Sequence, residues 1–160
     1  MDYIPIEIWQ QVLFQSTFLD QIRLRQVCVI FHNRLEIHDF YNIDRKYLHR
    51  LNDSILSNYS FIRSLNSHNN LKITNINYMT QLVELDASGG YCGITDQGIS
   101  QLNLIKLNVS YNQKITNINH MTKLVELTAC GRNCGINNVD LCMANPLKLD
   151  VSYNHKITNI

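Results

Sequence analysis

The side chains that could do chemistry are cysteines, histidines and an alternating set of carboxylates and ammonium groups. Five cysteines (Cys28, Cys92, Cys130, Cys134 and Cys142) are spread over 160 residues. Cys130, Cys134 and Cys142 lie close enough together to raise a thiolate zinc site. No fourth ligand stands at a suitable spacing, however, and there is no C-x-x-C pair. No metal and no other cofactor is therefore expected. An odd count without a tight framework fits a reducing compartment, with the thiols acting as small buried hydrophobes. None of the six histidines forms an H-x-x-x-H pair or stands beside a plausible Ser or Cys nucleophile. Each is expected on the surface or in a turn. The chain is expected to bind and not to catalyse.

Composition narrows what it could bind. The net charge is +1 and 17% of residues are charged, so neither a nucleic acid nor an anionic membrane is indicated as partner. Apolar runs are only a few residues long and the opening "MDYIPIEIW" is acidic, so neither a membrane span nor a signal peptide is expected. These features predict a protein of the cytoplasm or nucleus that is not secreted.

The charged side chains are organised by a repeat. "KITNI" occurs at 72–76, 114–118 and 156–160, each displaced by 42 residues, and 24 of 42 positions are identical between 72–113 and 114–155. Within "LIKLNVSYNQKITNINHMTKL", Leu104, Leu107, Val109, Asn112, Ile115, Ile118, Met121 and Leu124 follow the L-x-x-L-x-L-x-x-N-x-x-L register of leucine-rich repeats. Ile62, Leu65, Asn70, Ile73 and Ile76 fit an earlier unit. Leu147, Leu149, Val151, Asn154, Ile157 and Ile160 fit a later one. Units starting at Leu82 and Leu124 lie between, so the period is a pair of units of 20 and 22 residues.

This register predicts one short strand per unit, stacked parallel with leucines inward. Alternation along the strands turns Glu84, Asp86, Ser88, Lys106, Asn108, Ser110, Glu126, Thr128, Lys148, Asp150 and Ser152 to solvent. Glu84, Lys106, Glu126 and Lys148 then fall in consecutive strands about 4.8 Å apart. They form a charge ladder that keeps the sheet soluble and marks the face a target protein would meet. Asn70, Asn112 and Asn154 sit where the chain leaves the strand and are expected to form an internal ladder of backbone contacts. Tyr111 and Tyr153 precede it and are expected to pack at the strand end. The intermediate units lack the Asn, and their glycines predict a looser turn.

The N-terminal part has a helical period. Residues 4–35 read as short helices, with Pro5 in a first turn and Ile4, Ile8, Val12 and Leu13 on one face. Asp20 is the expected cap of a second helix, whose buried stripe is Leu24, Val27, Cys28, Phe31 and Leu35. Residues 41–61 are expected to connect this helical module, 1–40, to the repeats at 62–160, which span about 4.5 units of 20–22 residues.

"IPIEIWQQVLFQSTFLDQIRLRQVCVIFHNRL" resembles the F-box, through Ile4-Pro5-Ile6-Glu7-Ile8 and the Leu24…Val27-Cys28…Phe31 segment. "CGITDQGI" at 92–99 is similar to the Cys-x-Ile-Thr-Asp-x-Gly segment of cysteine-containing leucine-rich repeats. Together they resemble F-box/leucine-rich-repeat proteins, most closely those of giant DNA viruses of amoebae. The resemblance implies an α/β fold: a helical F-box followed by a short solenoid with a parallel sheet on its concave face. It also implies a substrate-recognition subunit of a Skp–cullin–F-box ubiquitin ligase, located in the host cell if viral. Pro5, Ile8, Leu13, Leu24, Val27, Cys28 and Phe31 carry over as adaptor-facing or module core. The repeats would bind a protein substrate. A repeat scaffold without ligase function, or a decoy occupying the Skp adaptor, is the alternative. The chain has neither a zinc-binding RING pattern nor the surroundings of a ubiquitin-carrying thiol.

Ile160 aligns with Ile118 and Ile76, inside a unit and before any polar cap. The sequence therefore predicts a shortened array that frays after about Asn154.

Overall fold

The computed structural model describes residues 5–28, 34, 37, 39–43 and 45–158. Ile4, Phe31, Leu35 and Ile160, named above, lie outside the described residues.

Six short strands form one open parallel sheet in the order β1-β2-β3-β4-β5-β6. They are β1 (Asp39–Phe40), β2 (Ser64–Asn66), β3 (Glu84–Asp86), β4 (Lys106–Asn108), β5 (Glu126–Thr128) and β6 (Lys148–Asp150). From β2 onward each is a polar-Leu-polar triplet, so each presents a single leucine to the core. Leu65, Leu85, Leu107 and Leu127 occupy equivalent registers and are buried. The class is thus α/β with a parallel sheet. Each return segment closes the core behind the strands. Ile73, Ile76, Met79 and Leu82 are repeated 42 residues later by Ile115, Ile118, Met121 and Leu124, and all eight are buried. At about 1.5–3 kcal/mol for each large side chain removed from water, this column is the main stabilising term.

The helices are α1 (Ile6–Phe14), α2 (Phe18–Gln26), α3 (Arg45–Leu48), α4 (Asp53–Leu56), α5 (Asp96–Ile99) and α6 (Asn138–Ala144). Residues 39–40, assigned from sequence to the helical module, are instead the first strand of the sheet. The reason is that Phe40 is buried in the main core together with Ile37 and Ile43.

The N-terminal helices differ from expectation in three ways. Thr17, not Asp20, caps α2: its Oγ1 accepts the Asp20 N–H at 3.3 Å and donates to Asp20 Oδ2 at 2.7 Å. A Thr followed three residues later by an acid is a capping pair, and the cap is its first member. α2 ends at Gln26, so Val27 and Cys28 do not extend a buried stripe, and both are exposed. In α1, Ile6 and Leu13 make the buried face, with Trp9 and Leu24 packed on it, while Ile8 and Val12 turn outward. α1 is apolar on two sides, and periodicity alone cannot say which side is buried.

Candidate functional site

Every residue of "KITNI" has a task in setting the strands in place. Asn112 precedes it. Its Nδ2 donates to the Ala87 and Ile94 carbonyls of the previous unit at 2.8 and 3.4 Å, and its Oδ1 accepts the Lys114 N–H at 2.8 Å. Asn154 repeats this with Ala129, Ile136 and Lys156 at 3.0, 3.1 and 3.1 Å. Asn70 does so with Leu48, Leu51 and Lys72 at 2.7, 3.0 and 2.9 Å. The asparagines therefore do not bond one another. Each ties its own turn to the unit before it.

The lysine that follows also reaches back, with Lys114 Nζ donating to Cys92 O at 2.8 Å and Lys72 Nζ to His49 O at 3.1 Å. The isoleucines enter the core, Ile115 and Ile118 being buried. Thr116 is held by Asp96: Oδ1 accepts its N–H at 2.7 Å and Oδ2 its hydroxyl at 2.6 Å, while Asn117 N–H adds a bond at 3.0 Å. Asp53 grips Thr74 through N–H and hydroxyl at 2.8 and 2.6 Å. At the third position Asn138 serves, accepting from Thr158 N–H and donating to Thr158 Oγ1, both at 3.0 Å. In the stretch after Asn154, expected to fray, the Lys156 and Thr158 N–H bonds match those of Lys114 and Thr116, whereas Ile157 is half-buried where Ile115 is buried.

Sequence reasoning missed this clamp, and the signal available was an Asp or Asn standing 20–21 residues before each Thr of the repeat. It also missed what fills the asparagine place in the intermediate units. Cys92 and Cys134 follow Gly89 and Gly131 by the same N–H to O turn that Asn70 and Asn112 make, and both are buried. Cys134 Sγ donates to Val109 O at 3.5 Å. Burial raises both thiols above their ordinary range, which keeps them protonated and able to donate. Cys28 and Cys142 are exposed and Cys130 is partly so, contrary to the expectation that all five are buried.

With the strands fixed, two rows of side chains line the open face of the sheet. The first is Asp39, Ser64, Glu84, Lys106, Glu126 and Lys148, which share one register. Lys106 Nζ lies 3.9 Å from both Glu84 and Glu126, and Lys148 Nζ lies 3.8 Å from Glu126. Exposed pairs of this length contribute about 0–1 kcal/mol each, so the ladder organises charge more than it stabilises. The second row is Tyr41, Asn66, Asp86, Asn108, Thr128 and Asp150. Asp86, Asn108 and Asp150 each accept the N–H two residues on, at 2.9, 3.1 and 3.1 Å, and so close the turns that leave the strands. These candidate contact residues have a structural task as well. Ser88 and Ser110 are buried by the same turns, correcting their assignment to solvent, whereas Ser152 is exposed. Tyr41, Glu84, Lys106, Asn108, Glu126 and Thr128 line a depression of about 70 Å³. That is far below the volume of a small-molecule site.

Along the rim, one residue of each unit has positive φ: Asn69 (52°), Gly89 (93°), Tyr111 (60°), Gly131 (93°) and Tyr153 (61°). The Tyr111 ring lies over Gly131 where any Cβ would collide with it, so the glycine is needed for conformation and for room. Tyr111 packs as expected of a strand-end residue, yet it and Tyr153 remain exposed. His68, assigned to the surface without a serine nearby, has Nδ1 at 2.8 Å from Ser88 Oγ. The Ser88 hydroxyl also contacts Asp86 Oδ1, so the serine lies between His68 and Asp86. In a catalytic triad the histidine is central.

At the other end, the motif residues separate by environment. Leu13 is buried and Leu24 half-buried, whereas Ile8, Val12 and Val27 are 46%, 45% and 70% exposed. Pro5 opens α1, its carbonyl accepting Ile8 N–H at 3.1 Å. Among the described residues no helix is long and apolar enough to cross a membrane. Comparison of the chain with protein families, with curated proteins and with solved structures returned no match.

Proposed function

We propose that this protein is a substrate receptor of a Skp–cullin–F-box ubiquitin ligase. In it, the N-terminal stretch 4–35 acts as an F-box, and the repeats act as a leucine-rich-repeat solenoid that holds a target protein on the open face of its sheet. The single observation that carries this proposal is the exposure of Ile8, Val12 and Val27 beside a minimal buried cluster of Ile6 and Leu13. A helical pair of this size cannot bury its own apolar surface, and exposed apolar side chains within the resembling stretch suit docking of an adaptor. Leu13 and Leu24 would be module core, and Ile8, Val27 and Cys28 adaptor-facing.

The sheet supports the second half of the proposal. Its open face offers rows of fixed charge and amide groups without a deep cavity, which suits a protein surface better than a small molecule. Co-purification of the full chain with a Skp-type adaptor tests the first half, and binding that survives Val27→Asp with Ile8→Asp would contradict it. Target capture by the wild-type chain and by Lys106→Glu/Lys148→Glu tests the second. Weakened capture with an unchanged melting curve is expected, and unchanged capture would remove the ladder from the target site.

A further inference from the structure

Where the first repeat meets the segment before it, Lys46, Leu48, His49, His68, Asn69 and Asn70 line a pocket of about 480 Å³. That volume falls within the range of small-ligand sites, about 300–1,000 Å³. α3 supplies Lys46 and, one residue past its end, His49. The turn that leaves β2 supplies His68 and Asn69. Two bonds hold α3 against this turn: Asn70 Nδ2 donates to the Leu48 and Leu51 carbonyls, and Lys72 Nζ donates to His49 O at 3.1 Å. Among the described residues no carboxylate lines the pocket, and its polar side chains are ammonium, imidazole and amide groups.

The repeat itself changes here. His68-Asn69 stands where the copies at 110–111 and 152–153 have Ser-Tyr. The imidazole is oriented from behind: Ser88 Oγ donates to Asp86 Oδ1, so toward His68 Nδ1, 2.8 Å away, it can only accept. The proton of the neutral ring is therefore on Nδ1, and Nε2 is the nitrogen that gains or loses a proton. Nε2 lies 2.9 Å from Asn69 Nδ2, and the Oδ1 of that amide is held by the Tyr91 N–H at 3.2 Å. Once Nε2 is protonated, it and Asn69 Nδ2 are two donors side by side, and neither can accept from the other. An anion with several oxygens satisfies both. The charged and titratable groups around the ring are then Asp86, acting through Ser88, and Lys46 and His49 from the α3 side.

We propose that this pocket binds a phosphate monoester. Lys46 and His49 offset its charge, and His68 Nε2–H and Asn69 Nδ2–H donate to its oxygens. A monoester carries a charge of about −1.5 to −2 at neutral pH and three acceptor oxygens, which matches a set of donors without a carboxylate. The pocket is larger than a phosphate group, and the ester substituent takes the remaining volume beside Leu48. Ser88 and Asp86 are positioning residues, because they act on the ring and not on the ligand. The proposal stands independently of adaptor docking and of target capture.

Titration of inorganic phosphate into the full chain at about 0.15 M chloride, followed by ¹H–¹⁵N NMR, tests it. Saturation with a dissociation constant on the order of 1 mM is expected, with the backbone amides of 46–49 and 68–70 moving first. Long-range ¹H–¹⁵N spectra of the imidazoles should show His68 Nε2 passing from unprotonated to protonated as phosphate is added, which a purely structural ring would not do. Lys46→Gln and His68→Gln should each weaken binding roughly tenfold, whereas Lys123→Gln, outside the pocket, should change it less than about twofold. Ser88→Ala removes no ligand contact, yet it should free the neutral ring to move its proton to Nε2 and weaken binding several-fold. Phenyl phosphate and a capped Gly-phosphoserine-Gly peptide then separate the sources of the ester. Tighter binding of the first assigns a small molecule, and of the second a modified protein side chain. Failure to saturate by about 20 mM phosphate, far above the expected constant, would overturn the proposal. So would undiminished binding by the Lys46 and His68 variants, or His68 ring nitrogens that do not respond to phosphate.

Discussion

Asp96 and Thr116 are joined by both carboxylate oxygens, Oδ1 taking the threonine N–H at 2.7 Å and Oδ2 its hydroxyl at 2.6 Å. The pair spans one unit of the repeat and fixes where the next return segment begins. The chain supplies its own control, because Asn138 does the same for Thr158 with one accepted and one donated bond. Asp96→Asn should therefore cost no more than about 0.5 kcal/mol, whereas Asp96→Ala should cost about 1–3 kcal/mol. Urea denaturation of the two variants checks this, and equal losses would show that charge, not bond geometry, matters at the site.

Asn112→Ala leaves the buried Ala87 and Ile94 carbonyls and the Lys114 N–H without their side-chain partner. A loss of about 2–4 kcal/mol is expected, since buried groups left unmade cost about 1–3 kcal/mol each and water reaches some of them. Equilibrium unfolding measures it, and a loss under about 1 kcal/mol would mean the turn re-forms without the asparagine.

Gly131→Ala combines a positive φ of 93° with a collision against the Tyr111 ring. The conformational part costs about 1–2 kcal/mol for an L-residue. The steric part should disappear in Tyr111→Ala, so the two substitutions should be less destabilising together than their sum. A double-mutant cycle by thermal unfolding reads the coupling, and strict additivity would place the ring elsewhere.

Tyr78 lies beside Asp53, and burial first, then that carboxylate, push its phenol up from 10.0 to about 12. A raised folded value favours the neutral phenol, so its contribution is fully present below pH 10.0 and is lost as pH rises through about 12. Relative to Tyr78→Phe, the wild type should lose stability progressively across that window. Parallel alkaline stability curves for the two proteins would contradict the shift.

How far these features were legible in the sequence depends on the kind of pattern each leaves. Leu85, Leu107 and Leu127 recur in a fixed register, so the strands, their parallel order and the pairing of Glu84, Lys106 and Glu126 followed from counting. The partners of Asn112 did not, because backbone carbonyls carry no sequence signature. Cys134 escaped notice as a hydrogen-bond donor in the asparagine place because an inserted pair of residues shifts it within the turn. Asp86, Asn108 and Asp150 were legible as outward-facing but not as turn acceptors, since alternation specifies a side chain's direction and not its partner. Ile8 and Val12 were expected on the buried face of α1 and Ile6 takes it instead, for a short helix apolar on two sides is oriented by its neighbours.

The central claim is that the N-terminal helices dock an adaptor through Ile8, Val12 and Val27. Calorimetric titration of a Skp-type adaptor into the full chain tests it directly, with Ile8→Asp/Val27→Asp and Lys106→Glu/Lys148→Glu as paired variants. The expected result is saturable binding by the wild type, kept by the ladder variant and weakened at least about a hundredfold in the helical one, about 2.7 kcal/mol. No binding by the wild type, or equal binding by the helical variant with its helices intact by circular dichroism, would contradict the claim.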